Sequence, residues 1–499
     1  MLQNVKIALI KERNVMNTKF IKIILIILTS AILLLSGCVN VDRNNNSQNT
    51  KKEVIMAKRQ LKDFTTDIQT TEKENYTTVK TSTGLEYTAE GYKSLKDGKF
   101  AVKNDFTITF EDGMFADPFN RYTICYESSR PLKGTVSYEE NGKLKTEYFF
   151  LEAGKDTFSC LIENYLSGGK GINIKSLTFE SLSNRSADFV LCDLTCEEYK
   201  VYADNTYYIN NDRFKVGIRL LWGGGINYIS DKKNPIKDLD NLINQADEGR
   251  LVQQSYYGTQ GNHEYKPGFY NNAQWSYNPV QGGDKNGNHS RIVDIVVEDY
   301  SVYIKAQPQD WSLNNSLTPS YMENCYTIFA DYIRVDNRFV DFSGWQHRDA
   351  HQELPAFYTV SYLDKFTWYE GEKPWENDAL SSRNNLRFWG DPQYSDDCSF
   401  ALKEDNTETW CSWTNSKDDY GIGLYVPNVE LFLAGRNAYN ASKDSFDGAC
   451  NYVAPINTLK LVSFEPLEYS YLMATGSVDE IREIFKTNKD FATNASFDS

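Results

Sequence analysis

The sequence predicts a mainly β protein that consists of an N-terminal β-sandwich, a much larger antiparallel assembly and a C-terminal helix. Short stretches of alternating apolar and polar residues, separated by Gly, Asn, Asp and Pro, recur over most of the chain. The pair Asn141-Gly142 joins two such stretches, and both residues tolerate the positive φ angles of a tight hairpin. Helical periodicity first becomes clear after Ser477, near the end of the chain.

The N-terminal residues are typical of an exported lipoprotein. Basic residues precede an apolar run that ends in Leu-Ser-Gly-Cys at Cys38, which is the order found in a secretory signal. The run is shorter than the roughly 20 apolar residues that span a bilayer. The four residues resemble a bacterial lipobox, which implies a lipid on Cys38 and a membrane-anchored chain on the extracytoplasmic face. Residues 1–37 are therefore predicted to be a signal peptide, and either Met1 or Met16 is the start.

The charge of the chain restricts its partners. The formal net charge is −15, and removal of the five basic residues and one acidic residue of 1–37 takes it to −19. Such an acidic chain is a poor partner for nucleic acid or for anionic polymers, so a neutral carbohydrate is the expected ligand. Residues 38–90 are rich in Asn, Lys and Thr and are predicted to be a disordered tether for a monomer.

Two β domains and a helix are expected beyond the tether. Residues 91–203 are predicted to form a jelly-roll-like sandwich, and residues 204–476 the larger assembly, which holds all nine tryptophans and all four histidines. In the segment 477–499, Ser477 and Glu480 have the spacing of a helical capping box. The clustering of tryptophan and histidine favours the larger domain as the location of the functional site.

The stretch from Asp247 to Asp284 has the composition of a sugar-binding site. Amides, carboxylates and guanidinium groups suit sugar hydroxyls, and flat aromatic rings suit the apolar face of a sugar. In an extended strand, Gln253, Ser255 and Tyr257 share one face, and Gln254 and Tyr256 share the other. The residues predicted to bind substrate are Arg250, Gln254, Tyr257, Trp275, Asn278, Gln281, Asp284 and, farther along, His351.

Five segments in order resemble a family of secreted bacterial carbohydrate-active proteins. They read WGGGINYI, NLINQADEGRLVQQSYYG, NPVQGGD, HQELPAFY and YGIGLYVP, and the resemblance extends from Phe214 to Phe485. It implies a galactose-mutarotase-like β-supersandwich over 204–476. That fold serves epimerases, hydrolases, lyases and binding domains, so it leaves the reaction open.

Asp247 and Glu353 are the predicted catalytic pair of a glycoside hydrolase, with Glu264 and Asp284 in reserve. Glycoside hydrolysis generally uses two carboxyl groups, one on each side of the scissile bond, and their separation decides whether configuration is retained. An alternative for Asp247 is a structural ion pair with Arg250 at a turn. The alternatives for the chain are a non-catalytic glycan-binding lipoprotein and a polysaccharide lyase that uses a tyrosine or histidine base, with Tyr257, His263 and Arg250 as candidates.

Neither a metal nor a cofactor is predicted. His347, His351 and Glu353 do not form the zincin pattern, because Arg348 stands where that pattern needs glutamate. Beyond Cys38, eight cysteines remain at spacings that match no zinc motif, and both disulfides and buried thiols stay open for them.

Overall fold

The computed structural model describes residues 54–116, 120–161, 172–199, 205–258, 265–386, 398–437, 440–495 and 497. The predicted signal peptide, residues 1–37, and Cys38 lie outside these ranges. Among the described residues, no helix is long and apolar enough to cross a membrane. Residues Val54–Ser499 form one compact unit.

The first β-sandwich is built from the first twelve strands. They are β1 Ile68–Glu72, β2 Thr77–Thr81, β3 Glu86–Glu90, β4 Leu95–Lys96, β5 Lys99–Val102, β6 Phe106–Ala116, β7 Asn120–Ser128, β8 Leu132–Glu140, β9 Lys143–Leu151, β10 Gly154–Leu161, β11 Ile172–Ser181 and β12 Ala187–Glu198. One sheet has the order β1-β2-β3-β6-β11-β8-β9, and the other β10-β7-β12-β5-β4. Alternate residues of these strands point inward, so that phenylalanines such as Phe106, Phe179 and Phe189 pack between the sheets.

The predicted hairpin at Asn141-Gly142 is confirmed. Strands β8 and β9 pair directly across it, and the two turn residues have φ angles of 53° and 73°. Both angles lie in the left-handed region that the turn requires.

The sandwich begins earlier than expected, which corrects the predicted tether. Strands β1–β3 fall within 38–90, where the composition indicated disorder. Thr77, Val79 and Thr81 are buried on one face of β2, because a β-branched threonine can fill an interior position when its hydroxyl has a partner. Ala57, still farther toward the N-terminus, is buried beside Val296 and Tyr303 of the larger assembly.

The larger assembly holds the remaining strands. They are β13 Tyr207–Asn210, β14 Phe214–Arg219, β15 Gly225–Asp231, β16 Val252–Ser255, β17 Phe269–Tyr270, β18 Ala273–Gln274, β19 Pro279–Val280, β20 Arg291–Glu298, β21 Ser301–Gln307, β22 Gln309–Asp310, β23 Ser320–Ile328, β24 Ile333–Asp341, β25 Ala350–Val360, β26 Lys365–Tyr369, β27 Leu380–Asn384, β28 Ser399–Ala401, β29 Trp410–Thr414, β30 Gly421–Tyr425, β31 Leu431–Asn437, β32 Cys450–Leu459 and β33 Pro466–Gly476. Short 3₁₀ helices span Leu220–Trp222 and Lys489–Ala492.

Two large antiparallel sheets of this assembly enclose one apolar core. The ten-stranded sheet has the main order β13-β14-β15-β16-β25-β32-β31-β28, with β19 and β22 at its side, and the nine-stranded sheet has the order β20-β21-β23-β24-β33-β30-β29-β26-β27. Their inner faces meet in a core that includes Val252, Phe339, Phe357 and Trp413. The predicted mainly β class, with sandwiched sheets and a C-terminal helix, is confirmed.

The first sandwich and the larger assembly are packed together rather than loosely linked. Val293, Tyr321, Val340 and Phe342 of the larger assembly join the core of the first sandwich. Across the same seam, the Arg121 guanidinium lies 3.0 Å from Asp294, with both side chains buried. The eight described cysteines are all free thiols, and all but Cys196 are buried.

Helix α1, Val478–Asn488, packs its apolar face against β29, β30 and β33. The predicted capping box is present: the Ser477 side chain accepts a hydrogen bond from the Glu480 backbone N–H, and the Glu480 carboxylate accepts one from the Ser477 N–H at 2.9 Å. Ile481 and Phe485 lie on the buried face of the helix.

Replacement of Ser477 by alanine is expected to destabilise the protein by about 0.5–2 kcal/mol, because one helical N–H loses its partner. The midpoint of chemical denaturation measures the effect. Ser477→Asp is the matched control, since aspartate also accepts at this position and should restore most of the loss. Equal midpoints for Ser477→Ala and wild type would show that the cap adds nothing.

Candidate functional site

A cavity of about 220 Å³ opens beside strands β16 and β25 of the larger assembly. Aromatic rings, amides and one carboxyl group make up most of its surface. The lining residues are Gly249, Gln253, Ser255, Tyr257, Tyr270, Asn271, Trp275, Asn278, Val280, Trp311, Glu353, Ala356 and Tyr358.

The floor of the cavity is formed where β16 and β25 pair. Gln253 lies opposite Ala356, and Ser255 opposite Glu353, with an irregularity in register between the two pairs. Strand β25 also shifts its register against β32 just after Glu353. Such bulges re-aim a side chain relative to a regular strand, and here the Glu353 carboxyl lines the cavity.

Glu353 is a buried carboxyl group that is held by hydroxyl donors. The residue is 8% exposed, and its Oε1 accepts hydrogen bonds from the Tyr452 hydroxyl at 2.6 Å and from the Tyr257 hydroxyl at 3.2 Å. Burial raises the pKa of Glu353, and hydrogen bonds from Tyr452, Ser255 and Tyr257 offset only part of that effect. The site therefore favours the protonated acid more than water does.

Aromatic side chains form the walls of the cavity. The Tyr270 ring lies 5.2 Å from that of Trp275 and 5.6 Å from that of Trp311, at angles of 74° and 72°. Tyr257 lies 6.4 Å from Trp275 at 67°. Each ring thus meets its neighbour nearly edge to face, which is a favoured aromatic arrangement.

Local structure fixes these walls in place. The Trp275 indole N–H donates to the Asn278 side-chain oxygen at 3.1 Å, and the Asn278 amide donates to the Tyr256 carbonyl at 2.7 Å. A Cβ atom added to Gly249 would lie 2.8 Å from the Trp311 indole, so glycine is required for that ring to approach the backbone. Gly249, between Asp247 and Arg250 in sequence, therefore accommodates an aromatic wall.

Four of the predicted site residues line the cavity: Tyr257, Trp275, Asn278 and Glu353. The predicted alternation of residues 253–257 between two faces also holds, since Gln253 and Ser255 of β16 and Tyr257 just after it all line the cavity. Gln254 points the other way, is fully buried, and donates to the Glu323 carbonyl at 2.8 Å. Gln254 therefore lies on the face of the strand that points away from the cavity, and the structure does not support its predicted role in binding substrate.

Asp247 and Arg250 form the ion pair that was the structural alternative. The Arg250 Nε lies 3.1 Å from the Asp247 carboxylate, whose side chain is 43% exposed. Arg250 also donates to the Gly448 carbonyl at 2.6 Å. Neither residue is among the described residues that line the cavity, so the predicted pairing of Asp247 with Glu353 across a substrate stays a prediction.

The other predicted binding residues lie apart from the cavity. Gln281 is fully buried and donates to Gly223 and Asn324. Asp284 is buried and accepts hydrogen bonds from the backbone N–H groups of Asn288 and Asn315, which fixes a turn. His351 is exposed, and its Nδ1 lies 3.2 Å from the Thr458 hydroxyl. His263 and Glu264 fall outside the described residues.

Sequence reasoning missed several residues of the site. Tyr270 comes from the short strand β17, Trp311 from the turn after β22, Tyr358 from the far part of β25, and Tyr452 from β32, about 100 residues from Glu353 in sequence. The clustering of tryptophan in the larger domain was a usable signal for Trp311, and Tyr270 lies within the stretch from Asp247 to Asp284 that has the composition of a sugar-binding site. No local pattern marks Tyr452, because only the pairing of β25 with β32 brings it to Glu353.

Within the described ranges, no group of three or more His, Cys, Asp and Glu side chains is placed to hold a metal ion. The described residues that line the cavity offer aromatic contact, hydrogen bonding and proton transfer at one carboxyl group. These features, together with the sheets around them, define a mainly β protein with an aromatic, acid-containing cavity.

No family model matches the chain, and no curated protein matches it. Among solved structures, a galactose mutarotase-like protein from Lactobacillus casei ATCC 334 shares 12% identity, with 54% of this chain and 100% of that chain covered and a TM-score of 0.32. A galactose mutarotase related enzyme from Lactobacillus acidophilus shares 13% identity over 55% and 97% of the two chains, with a TM-score of 0.30.

A 4-alpha-glucanotransferase from Thermococcus litoralis shares 10% identity over 54% of this chain and 37% of that chain, with a TM-score of 0.22. The first two neighbours carry the name of the fold that the sequence motifs resemble. At these identities and TM-scores, the alignments define neither a reaction nor a ligand for this chain.

Proposed function

We propose that this chain is a carbohydrate-active protein that binds one sugar ring in the cavity and hydrolyses its glycosidic bond with Glu353 as general acid. The observation that carries the proposal is a buried carboxyl group at the floor of a cavity walled by aromatic rings. Aromatic faces suit the apolar side of a sugar, and the amides of Gln253, Asn271 and Asn278 suit its hydroxyls.

The size and charge of the cavity support a small neutral ligand. Its volume of about 220 Å³ is below the roughly 300–1,000 Å³ of sites for drug-sized molecules, which is suitable for a single ring. Among the described lining residues there is no Lys, Arg or His that could neutralise a uronate. A polysaccharide lyase is less well supported, because Arg250 is engaged with Asp247, and burial raises the pKa of the Tyr257 phenol well above its usual value.

Glu353 has the protonation behaviour that a general acid needs. Its raised pKa keeps a proton available nearer to neutral pH, where it can be given to the leaving oxygen of a glycoside. Hydrolysis also requires a second group that activates water or attacks the sugar. We retain Asp247 for that role as part of the proposal, and it must leave its ion pair with Arg250 to act.

The second candidate function is glycan binding without catalysis. It is favoured by one observation: Glu353 is the sole carboxylate among the described residues that line the cavity.

For both candidate functions, we propose that lipidated Cys38 anchors a monomeric chain to the extracytoplasmic face of the membrane.

A panel of neutral oligosaccharides tests the two functions together. Binding is measured by calorimetry, and cleavage by the release of new reducing ends, on the same samples. Cleavage of at least one member supports the hydrolase. Binding without any cleavage supports the glycan-binding function, and a chain that binds no member of the panel contradicts both.

Trp275→Ala is expected to weaken sugar binding about tenfold, because one aromatic wall and its contact with the ring are removed. Trp222→Ala is the matched control, since Trp222 packs near His289 and does not line the cavity. Calorimetric titration with the best sugar of the panel measures both variants. Equal affinities for the two variants would place the sugar outside the cavity.

A further inference from the structure

We infer that the cavity binds a sugar ring that carries a primary ammonium group more tightly than the neutral ring of the same shape. This inference names a ligand class, an amino sugar with a free amine, for the proposed site. It rests on the sugar binding of the proposed function and not on hydrolysis. Two independent features of the cavity support it: an uncompensated carboxyl group and a set of steeply angled aromatic walls.

The first feature is the electrostatic state of Glu353. Its partners are the neutral hydroxyls of Tyr452, Tyr257 and Ser255, and no cationic side chain lines the cavity among the described residues. Other buried glutamates have a cation: Arg338 lies 2.8 Å from Glu323, and Arg482 lies 2.6 Å from Glu408. A buried carboxylate without a countercharge is costly, and a ligand ammonium would supply that charge.

The second feature is the arrangement of the walls. Tyr270 meets Trp275 at 74° and Trp311 at 72°, and Tyr257 meets Trp275 at 67°. All four rings line the same cavity as Glu353, and several aromatic rings around one space are the arrangement of aromatic sites for ammonium ligands. The negative faces of such rings attract a cation, and most strongly where water is excluded.

The two features together predict the behaviour of an amino sugar. Its ammonium pairs with the Glu353 carboxylate while the ring lies against the aromatic walls. A carboxylate in this pair holds no proton to donate to a leaving oxygen. An amino sugar should therefore bind and compete with a neutral sugar without being cleaved.

Paired ligands test the inference on the full chain. D-glucosamine is compared with D-glucose, and D-galactosamine with D-galactose, by calorimetry at pH 6.5. We expect the amine of at least one pair to bind about tenfold more tightly than its neutral partner. In Glu353→Gln, the ratio of amine affinity to neutral affinity should fall to about twofold or less. Equal binding within both pairs, or a preference that survives in Glu353→Gln, overturns the inference.

A second variant covers the case in which Glu353→Gln does not fold. A non-sugar probe covers the case in which the proposed function is wrong and no sugar binds. Trp311→Leu retains the carboxyl group but loses one wall, and should lower the amine preference about threefold or more. Tetramethylammonium replaces the sugars as probe. If it binds wild type but not Trp311→Leu while no sugar binds, the cation site stands and the proposed function fails. Neutral sugars that bind without any amine preference support the function and contradict the cation site.

Discussion

Replacement of Glu353 by glutamine is expected to lower the rate of sugar release by about 10²–10⁴-fold, with neutral sugar binding kept within about threefold. Glutamine preserves the shape of the side chain and accepts the Tyr452 and Tyr257 hydrogen bonds, but it has no acidic proton. In wild type, the rate should fall as the pH rises through the raised pKa of Glu353, because the acid form is the donor. In Glu353→Gln, this fall of the rate with rising pH should be absent.

Glu298→Gln is the matched control, since Glu298 is an exposed glutamate at the end of β20. Its rate and pH profile should equal those of wild type. Asp247→Asn tests the second carboxylate separately and should also abolish most release if Asp247 completes the reaction. A Glu353→Gln variant that cleaves at the wild-type rate would remove Glu353 from the mechanism.

The second large effect concerns stability. Glu323→Gln is expected to destabilise the folded protein by about 3–5 kcal/mol, because it removes the carboxylate that the Arg338 and Lys305 cations share in a buried cluster. The Glu323 carboxylate lies 2.8 Å from the Arg338 guanidinium and 3.8 Å from the Lys305 ammonium, and accepts the Tyr303 hydroxyl at 2.8 Å. Arg338 also contacts Glu152 of the first sandwich, so the cluster spans the seam between the two β assemblies.

The pH dependence of that stability has a definite sign. Burial raises the pKa of Glu323, but Lys305, Arg338 and Arg59 outweigh burial and lower the pKa to about 2. A carboxyl group with a lowered folded-state pKa stabilises the protein above its unfolded pKa, and that contribution is lost as the pH falls toward 2. The difference in denaturation midpoint between wild type and Glu323→Gln should be largest near neutral pH and should shrink below about pH 4.5. A difference that is constant from pH 7 to pH 3 would contradict this role.

Local sequence patterns predicted much of the fold. The hairpin at Asn141-Gly142 and the capping box at Ser477 follow from backbone preferences of a few neighbouring residues, and both are present. Strands β1–β3 were missed because their inward positions are partly threonines, whose polar composition indicates disorder. Burial of threonine depends on the partners supplied by the rest of the sandwich, and composition does not report those partners.

In the candidate site, too, local sequence patterns predicted some residues, and the residues that depend on long-range packing were missed. The alternation expected of an extended chain placed Gln253, Ser255 and Tyr257 on one face, and all three line the cavity in the structure. Glu353 was also found, because it directly precedes the apolar stretch Leu-Pro-Ala-Phe-Tyr, which lies with it in β25. Tyr452 and Trp311 were not, since long-range pairing and loop packing bring them to the site. Asp247 has the right chemistry in sequence, but the turn that holds it favours the ion pair with Arg250.

The central claim is that a sugar ring binds in the cavity beside Glu353. A crystal structure of the chain with the tightest-binding saccharide at a saturating concentration tests it most directly. The predicted result is one sugar ring that lies against Trp275 and makes a polar contact with the Glu353 carboxyl group. A saccharide bound at another surface, with the cavity at Glu353 left without sugar, would contradict the claim.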